Sequence, residues 1–86
     1  METRVALIGI IVENPSSVAQ LNGILHEYST LIIGRMGLPY REKKISVISI
    51  AVDAPTDQIS ALAGKIGRLP GVSAKAVYSK PAADKK

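Results

Sequence analysis

Apolar residues alternate or run together from Val5 to Val12, and a turn through Glu13, Asn14 and Pro15 breaks the run. Val18, Leu21, Leu25 and Tyr28 then recur at helical spacing, which predicts a strand followed by an amphipathic helix. About forty residues later the pattern returns: Ile45 to Val52, a turn at Asp53, Ala54 and Pro55, and Ile59, Leu62, Ile66 and Leu69 on one helical face. Each predicted helix is followed by another strand candidate, Leu31 to Met36 in the first half and Val72 to Tyr78 in the second. The order strand, helix, strand, strand, helix, strand predicts an α+β, ferredoxin-like βαββαβ sandwich, with a four-stranded antiparallel sheet and two helices on one face.

Local signals set the expected boundaries. Asn14 or Ser16 suits the first helix cap, because either side chain accepts hydrogen bonds from unpaired backbone amides, and Thr56 or Asp53 suits the second. Gly67, Pro70 and Gly71 place the end of the second helix near Arg68. Gly37 to Lys44 reads as the connection between the halves, with turn residues at its front and charge at its back. One domain is expected over residues 1–78. After Tyr78 the apolar periodicity stops, so residues 79–86 read as a flexible basic tail.

The strands carry more apolar character than two helices can cover. In the first strand Ala6, Ile8, Ile10 and Val12 point one way and Val5, Leu7, Gly9 and Ile11 the other, and neither set is hydrophilic. A sandwich of this kind leaves one sheet face open to water. The excess therefore predicts a homo-oligomer, dimer or tetramer, associating through the open face or the sheet edges.

Composition narrows the chemistry. The 86 residues are 47% hydrophobic, yet the chain has three Tyr and no Phe or Trp. Tyr78 alone among the strand aromatics could stack on a base, so an RNA-reading sheet loses its physical support and no direct nucleic-acid binding is expected. With zero Cys, disulfides and thiolate metal sites are out, and a reducing cytoplasmic setting is the expectation. The apolar run Val5 to Val12 is too short to span a bilayer, and no membrane partner is expected. A formal net charge of +4, with Arg35, Arg41, Lys43 and Lys44 near one loop and Lys80, Lys85 and Lys86 in the tail, reads mostly as a solvated surface, and the basic loop and tail would suit an acidic protein partner.

Catalytic constellations do not assemble. His26 is the single histidine, without a second imidazole at metal-binding spacing, and the seven carboxylates are scattered over turns, helices and loops. Ser16 and Ser17 have no histidine placed to act as a base. Gly64, Lys65, Ile66, Gly67 and Arg68 sit late in a helix, where a phosphate loop has no use for them. No catalytic residue, metal or cofactor is therefore assigned. Acylphosphatases share the topology but need an arginine in a phosphate-cradling loop after the first strand; here Glu13, Asn14, Pro15 and Ser16 stand in that place.

Arg35, Met36, Gly37, Leu38, Pro39, Tyr40, Arg41 and Glu42, followed by Ala61 to Gly67 and then Pro70, Gly71 and Val72, resemble the iron-only hydrogenase system regulators over about residues 4–78. The resemblance implies an ACT-like fold, similar to the ligand-binding domain of the nickel-responsive regulator, and a regulatory or sensing role. A nickel site needs several His and Cys ligands, so only the fold of that regulator carries over. No segment remains for a DNA-reading helix.

Two functional expectations follow. In the first, a non-enzymatic oligomeric module binds a small anionic ligand, with Asn14, Ser16 and Ser17 at a helix amino terminus and Arg35, Gly37 and Arg41 around the central turn. In the second, the open sheet face and the basic loop dock a protein partner without any small ligand.

Overall fold

The computed structural model describes residues 2–80. Strand β1 (Arg4–Val12) leads through a 3-10 turn at Pro15–Ser17 into helix α1 (Val18–Glu27). A second 3-10 turn, Ser29–Leu31, precedes β2 (Ile32–Tyr40), and then come β3 (Ile45–Ala54), α2 (Thr56–Gly67) and β4 (Val72–Tyr78). The four strands form one antiparallel sheet in the order β2-β3-β1-β4. This is the βαββαβ sandwich that the duplicated pattern predicts.

The alternation along β1 decides which face the helices cover. Ala6, Ile8, Ile10 and Val12 are buried with Ile50, Val52 and Ala54 of β3 and Val72 of β4, against Leu21 and Leu25 of α1 and Ile59, Leu62 and Ile66 of α2. Full burial of each of the larger side chains contributes roughly 1.5–3 kcal/mol, so the seam between helices and sheet dominates stability. Val5 and Leu7, on the opposite face, remain exposed.

Several boundaries differ from the sequence reading. Asp53 and Ala54, expected in the turn, close β3 instead, paired with Val5 and Arg4 of the central strand β1. β2 begins one residue late, because Leu31 closes a 3-10 turn, and it runs on to Tyr40. Gly37, Leu38, Pro39 and Tyr40 are thus strand, paired with Ile48, Val47, Ser46 and Ile45, and only Arg41 to Lys44 make the connecting loop. Pro39 is accommodated because β2 is a sheet edge, where a missing N–H leaves no inner ladder bond unmade. α2 has Pro55 at its cap position and no side-chain cap, so neither Asp53 nor Thr56 serves there; Asp57 in the first turn supplies the negative charge that the helix amino terminus favours.

Asn14 does cap the first turn, its Oδ1 accepting from the Ser16 amide at 3.0 Å, and α2 ends with Arg68 at its carboxyl cap. Of the expected tail, Ser79 still donates its amide to the Val5 carbonyl at 2.8 Å and accepts from the Arg4 guanidinium. Residues 81–86 of that tail lie outside the described residues.

Candidate functional site

The turn after β1 is braced from below. Glu13 donates its amide to the Gly71 carbonyl at 2.7 Å, and the buried Ser17 hydroxyl donates to the Pro70 carbonyl at 2.6 Å. Gly71 has φ of +69°, and its Cα faces Asn14 so closely that a Cβ would lie 2.6 Å from the Asn14 Cβ. Two tight turns, one from each half of the duplicated fold, are locked together at this end of the sheet.

The tip of the β2–β3 hairpin lies beside the braced turn. Between them is a cleft of about 180 Å³, lined by Val12, Pro15 and Val18 on one side and by Pro39, Tyr40, Arg41, Lys44, Ile45 and Ser46 on the other. Its walls are mainly apolar, and its charge comes from Arg41 and Lys44. Glu42 is turned to the Tyr40 hydroxyl, which donates to its carboxylate at 2.9 Å. Among the described residues neither Arg41 nor Lys44 forms an ion pair. Lys44 also has φ of +56°, the single non-glycine residue among those described with positive φ. The left-handed conformation costs a residue with a Cβ roughly 1–2 kcal/mol.

The six residues singled out from sequence are distributed unevenly around this cleft. Arg41 lines it. Asn14, Ser16 and Ser17 flank Pro15 in its wall, but their polar groups are engaged internally: Ser16 donates its amide and, at 2.7 Å, its hydroxyl to Asn14 Oδ1, while Ser17 is buried on Pro70. Gly37 lies along the edge strand, paired with Ile48. Arg35 lies about 20 Å from Arg41 along an extended strand, so one chain does not close both guanidinium groups on one anion. It lines a separate hollow with Leu25, His26, Ser29 and Ile32.

Sequence reasoning did not place Val18, Tyr40 or Ser46 at the site, and it counted Lys44 only among the charges of the basic loop. The clue was available in the hairpin register: once β2 reaches Tyr40, its loop must emerge at the same end of the sheet as the turn after β1.

Elsewhere the polar chemistry joins elements together. Lys65 of α2 reaches Glu27 of α1 at 3.3 Å and stands over the Tyr28 ring, 5.1 Å from its centroid. Tyr28 first, and then Glu27, hold the Lys65 pKa above its ordinary 10.5. A second cleft, about 570 Å³, is lined in part by Glu2 and Asp53 against Arg4 and Lys80, so its charges oppose one another. Among the described residues no three His, Cys, Asp or Glu side chains gather as metal ligands. No helix among them is long and apolar enough to cross a membrane.

Comparison with solved structures gives the class first. The fold is that of ACT domains: the ACT domain from GTP pyrophosphokinase of Chlorobium tepidum superposes with a TM-score of 0.69 at 19% identity, covering 94% of this chain and 91% of that one. The uncharacterized protein TM1266 from Thermotoga maritima superposes with a TM-score of 0.88 at 35% identity, covering 92% of this chain and 100% of that one. Residues 4–76 match the TM1266-like family, described as "Iron-only hydrogenase system regulator, putative", and the chain belongs to that family. No curated protein matches it.

Proposed function

We propose that the chain is a non-catalytic sensing module of a cytoplasmic iron-only hydrogenase system, and that it binds a small anion with an apolar body in the cleft between the β1–α1 turn and the β2–β3 hairpin. One observation carries this reading: Arg41 and Lys44, unpaired among the described residues, stand over apolar walls contributed by two different elements. The walls suit a short aliphatic group and the cations suit a carboxylate or phosphate, with Arg41 able to bind it bidentately. A volume near 180 Å³ lies below the range for drug-sized ligands, so the occupant is a small metabolite.

Lys44 adds support. A left-handed turn position favours glycine, and a strained lysine there fits a site that uses its ammonium group. Regulation would follow from where the cleft sits, because an occupant bridges the hairpin and the turn braced on Gly71 and Pro70.

Thermal-shift titration with isovalerate, leucine and inorganic phosphate tests the reading. A concentration-dependent rise in Tm with one of them, lost in Arg41→Ala, supports it. A Tm unmoved by every anion, or raised equally in Arg41→Ala, rejects the cleft. A second reading, a protein-docking module, is favoured by the exposed aliphatic residues of the open sheet face.

A further inference from the structure

Sixteen residues make up the face of the sheet that the helices leave open, as read from the strand pairings. Most are aliphatic or small, and several are strongly exposed: Met36 by 69%, Val77 by 67%, Leu38 by 64% and Leu7 by 50%. Only two of the sixteen are charged, Asp53 on β3 and Lys75 on β4. A surface of this kind resembles the core of an interface, from which charge is depleted.

The two charges are placed symmetrically. Asp53 pairs with Val5, and Lys75 pairs with Gly9, so Leu7 on the intervening strand β1 is the midpoint of the line between them. With strands about 4.8 Å apart and same-face residues about 6.8 Å apart along a strand, that line is about 17 Å long. On the same lattice the perpendicular through Leu7 runs over Met36, two strands away and one residue pair along, about 12 Å from Leu7. Between them lie Ala51 and Ser49, too short to obstruct a partner.

We propose that a second copy of this chain covers the open face, packed sheet on sheet about a twofold axis that passes over Leu7 and Met36. That operation sets Leu7 against the partner's Leu7 and Met36 against the partner's Met36. It also carries each Asp53 over the partner's Lys75, which satisfies both charges on this face at once. An interface between identical patches must be self-complementary in this way. The strands of the two sheets then cross at about 70°, within the near-orthogonal class of sheet packing. Two four-stranded faces about 19 Å wide that cross at about 70° overlap over roughly 380 Å² each, on the order of 800 Å² in total, the size of a weak, reversible interface. The dimer is accordingly concentration-dependent rather than obligate. This inference does not depend on the cleft ligand.

The test uses the absence of Cys from the chain, which makes single-cysteine variants unambiguous. Packed sheets stand about 10 Å apart, beyond direct disulfide reach, so a short bis-maleimide is the probe. Leu7→Cys and Met36→Cys are expected to cross-link to dimers. Val47→Cys, whose two copies are about 20 Å apart across this axis, is expected to remain monomeric on a denaturing gel. Sedimentation equilibrium of the full chain should show a dimer that Leu7→Glu weakens at least a hundredfold. Lys75→Glu should weaken it about tenfold, and adding Asp53→Lys should restore it. All these positions lie outside the helix-covered core, so circular dichroism can confirm that each variant folds. A monomer at every accessible concentration overturns the proposal, and so does a dimer indifferent to Leu7→Glu or one cross-linked at Val47→Cys but not at Leu7→Cys and Met36→Cys.

Discussion

Gly71→Ala is the substitution that most directly probes how the two halves of the fold are joined. At φ of +69° an alanine takes on the left-handed cost, roughly 1–2 kcal/mol. Its methyl would lie 2.6 Å from the Asn14 Cβ and 3.0 Å from the Asn14 nitrogen, contacts too short to persist, so the β1–α1 turn must give way. Overpacking of this kind costs about 1–3 kcal/mol, and the movement also strains the hydrogen bond from Glu13 to the Gly71 carbonyl. Alanine narrows the unfolded ensemble, which offsets about 0.4–1 kcal/mol. The net expectation is a destabilisation of about 2–4 kcal/mol, a large share of the total for a domain of this size. Urea unfolding followed by far-ultraviolet circular dichroism measures it. Asn14→Gly in the same background removes the Cβ that the methyl strikes, and should recover at least about 1 kcal/mol of the loss as a double-mutant coupling. A loss below about 0.5 kcal/mol, or a coupling of zero, would show that the turns are not held against each other as described.

Three further outcomes are expected. Ser17→Ala removes the hydrogen bond from the buried hydroxyl to the Pro70 carbonyl and should cost about 0.5–1.5 kcal/mol in urea unfolding. Lys44→Gly relieves the positive-φ strain and should stabilise the protein by about 0.5 kcal/mol while abolishing the anion-dependent rise in Tm, a pair of opposite effects that a merely structural lysine would not produce. Because Tyr28 and Glu27 raise the folded pKa of Lys65, its contribution is complete below the ordinary 10.5 and is lost as pH rises through the higher folded value. Thermal melts of wild type and Lys65→Met from about pH 9 to 12 should therefore converge only at the alkaline end.

The architecture was legible because its signals are local and repeated. Ala6, Ile8, Ile10 and Val12 on one side of β1, and Ile59, Leu62 and Ile66 on one side of α2, announce their elements by period alone, and burial on one face follows. β2 was only half legible. Gly37 and Pro39 carry turn chemistry, and what makes them strand is the edge position, which depends on the strand order and not on their own neighbourhood.

The site was less legible for a related reason. Asn14, Ser16 and Ser17 have the chemistry of an anion cradle, but they spend it on one another and on Pro70, a partner 53 residues away in sequence from Ser17. Arg35 and Arg41 look like a pair in the sequence, yet β-strand geometry draws them apart. Arg41 reaches the cleft because the hairpin folds its tip beside Pro15, and Lys44 joins it because of a backbone angle that no residue type reveals.

The central claim is that the cleft beneath the hairpin binds a small anion. The most direct measurement is a nuclear magnetic resonance titration of the isotopically labelled chain with isovalerate, leucine and phosphate, following every backbone amide. Saturable shifts at Val18, Tyr40, Arg41, Lys44 and Ser46, absent in Arg41→Ala, are the predicted result. Shifts centred on the hollow at His26 and Arg35, or none with any of the three compounds, would contradict it.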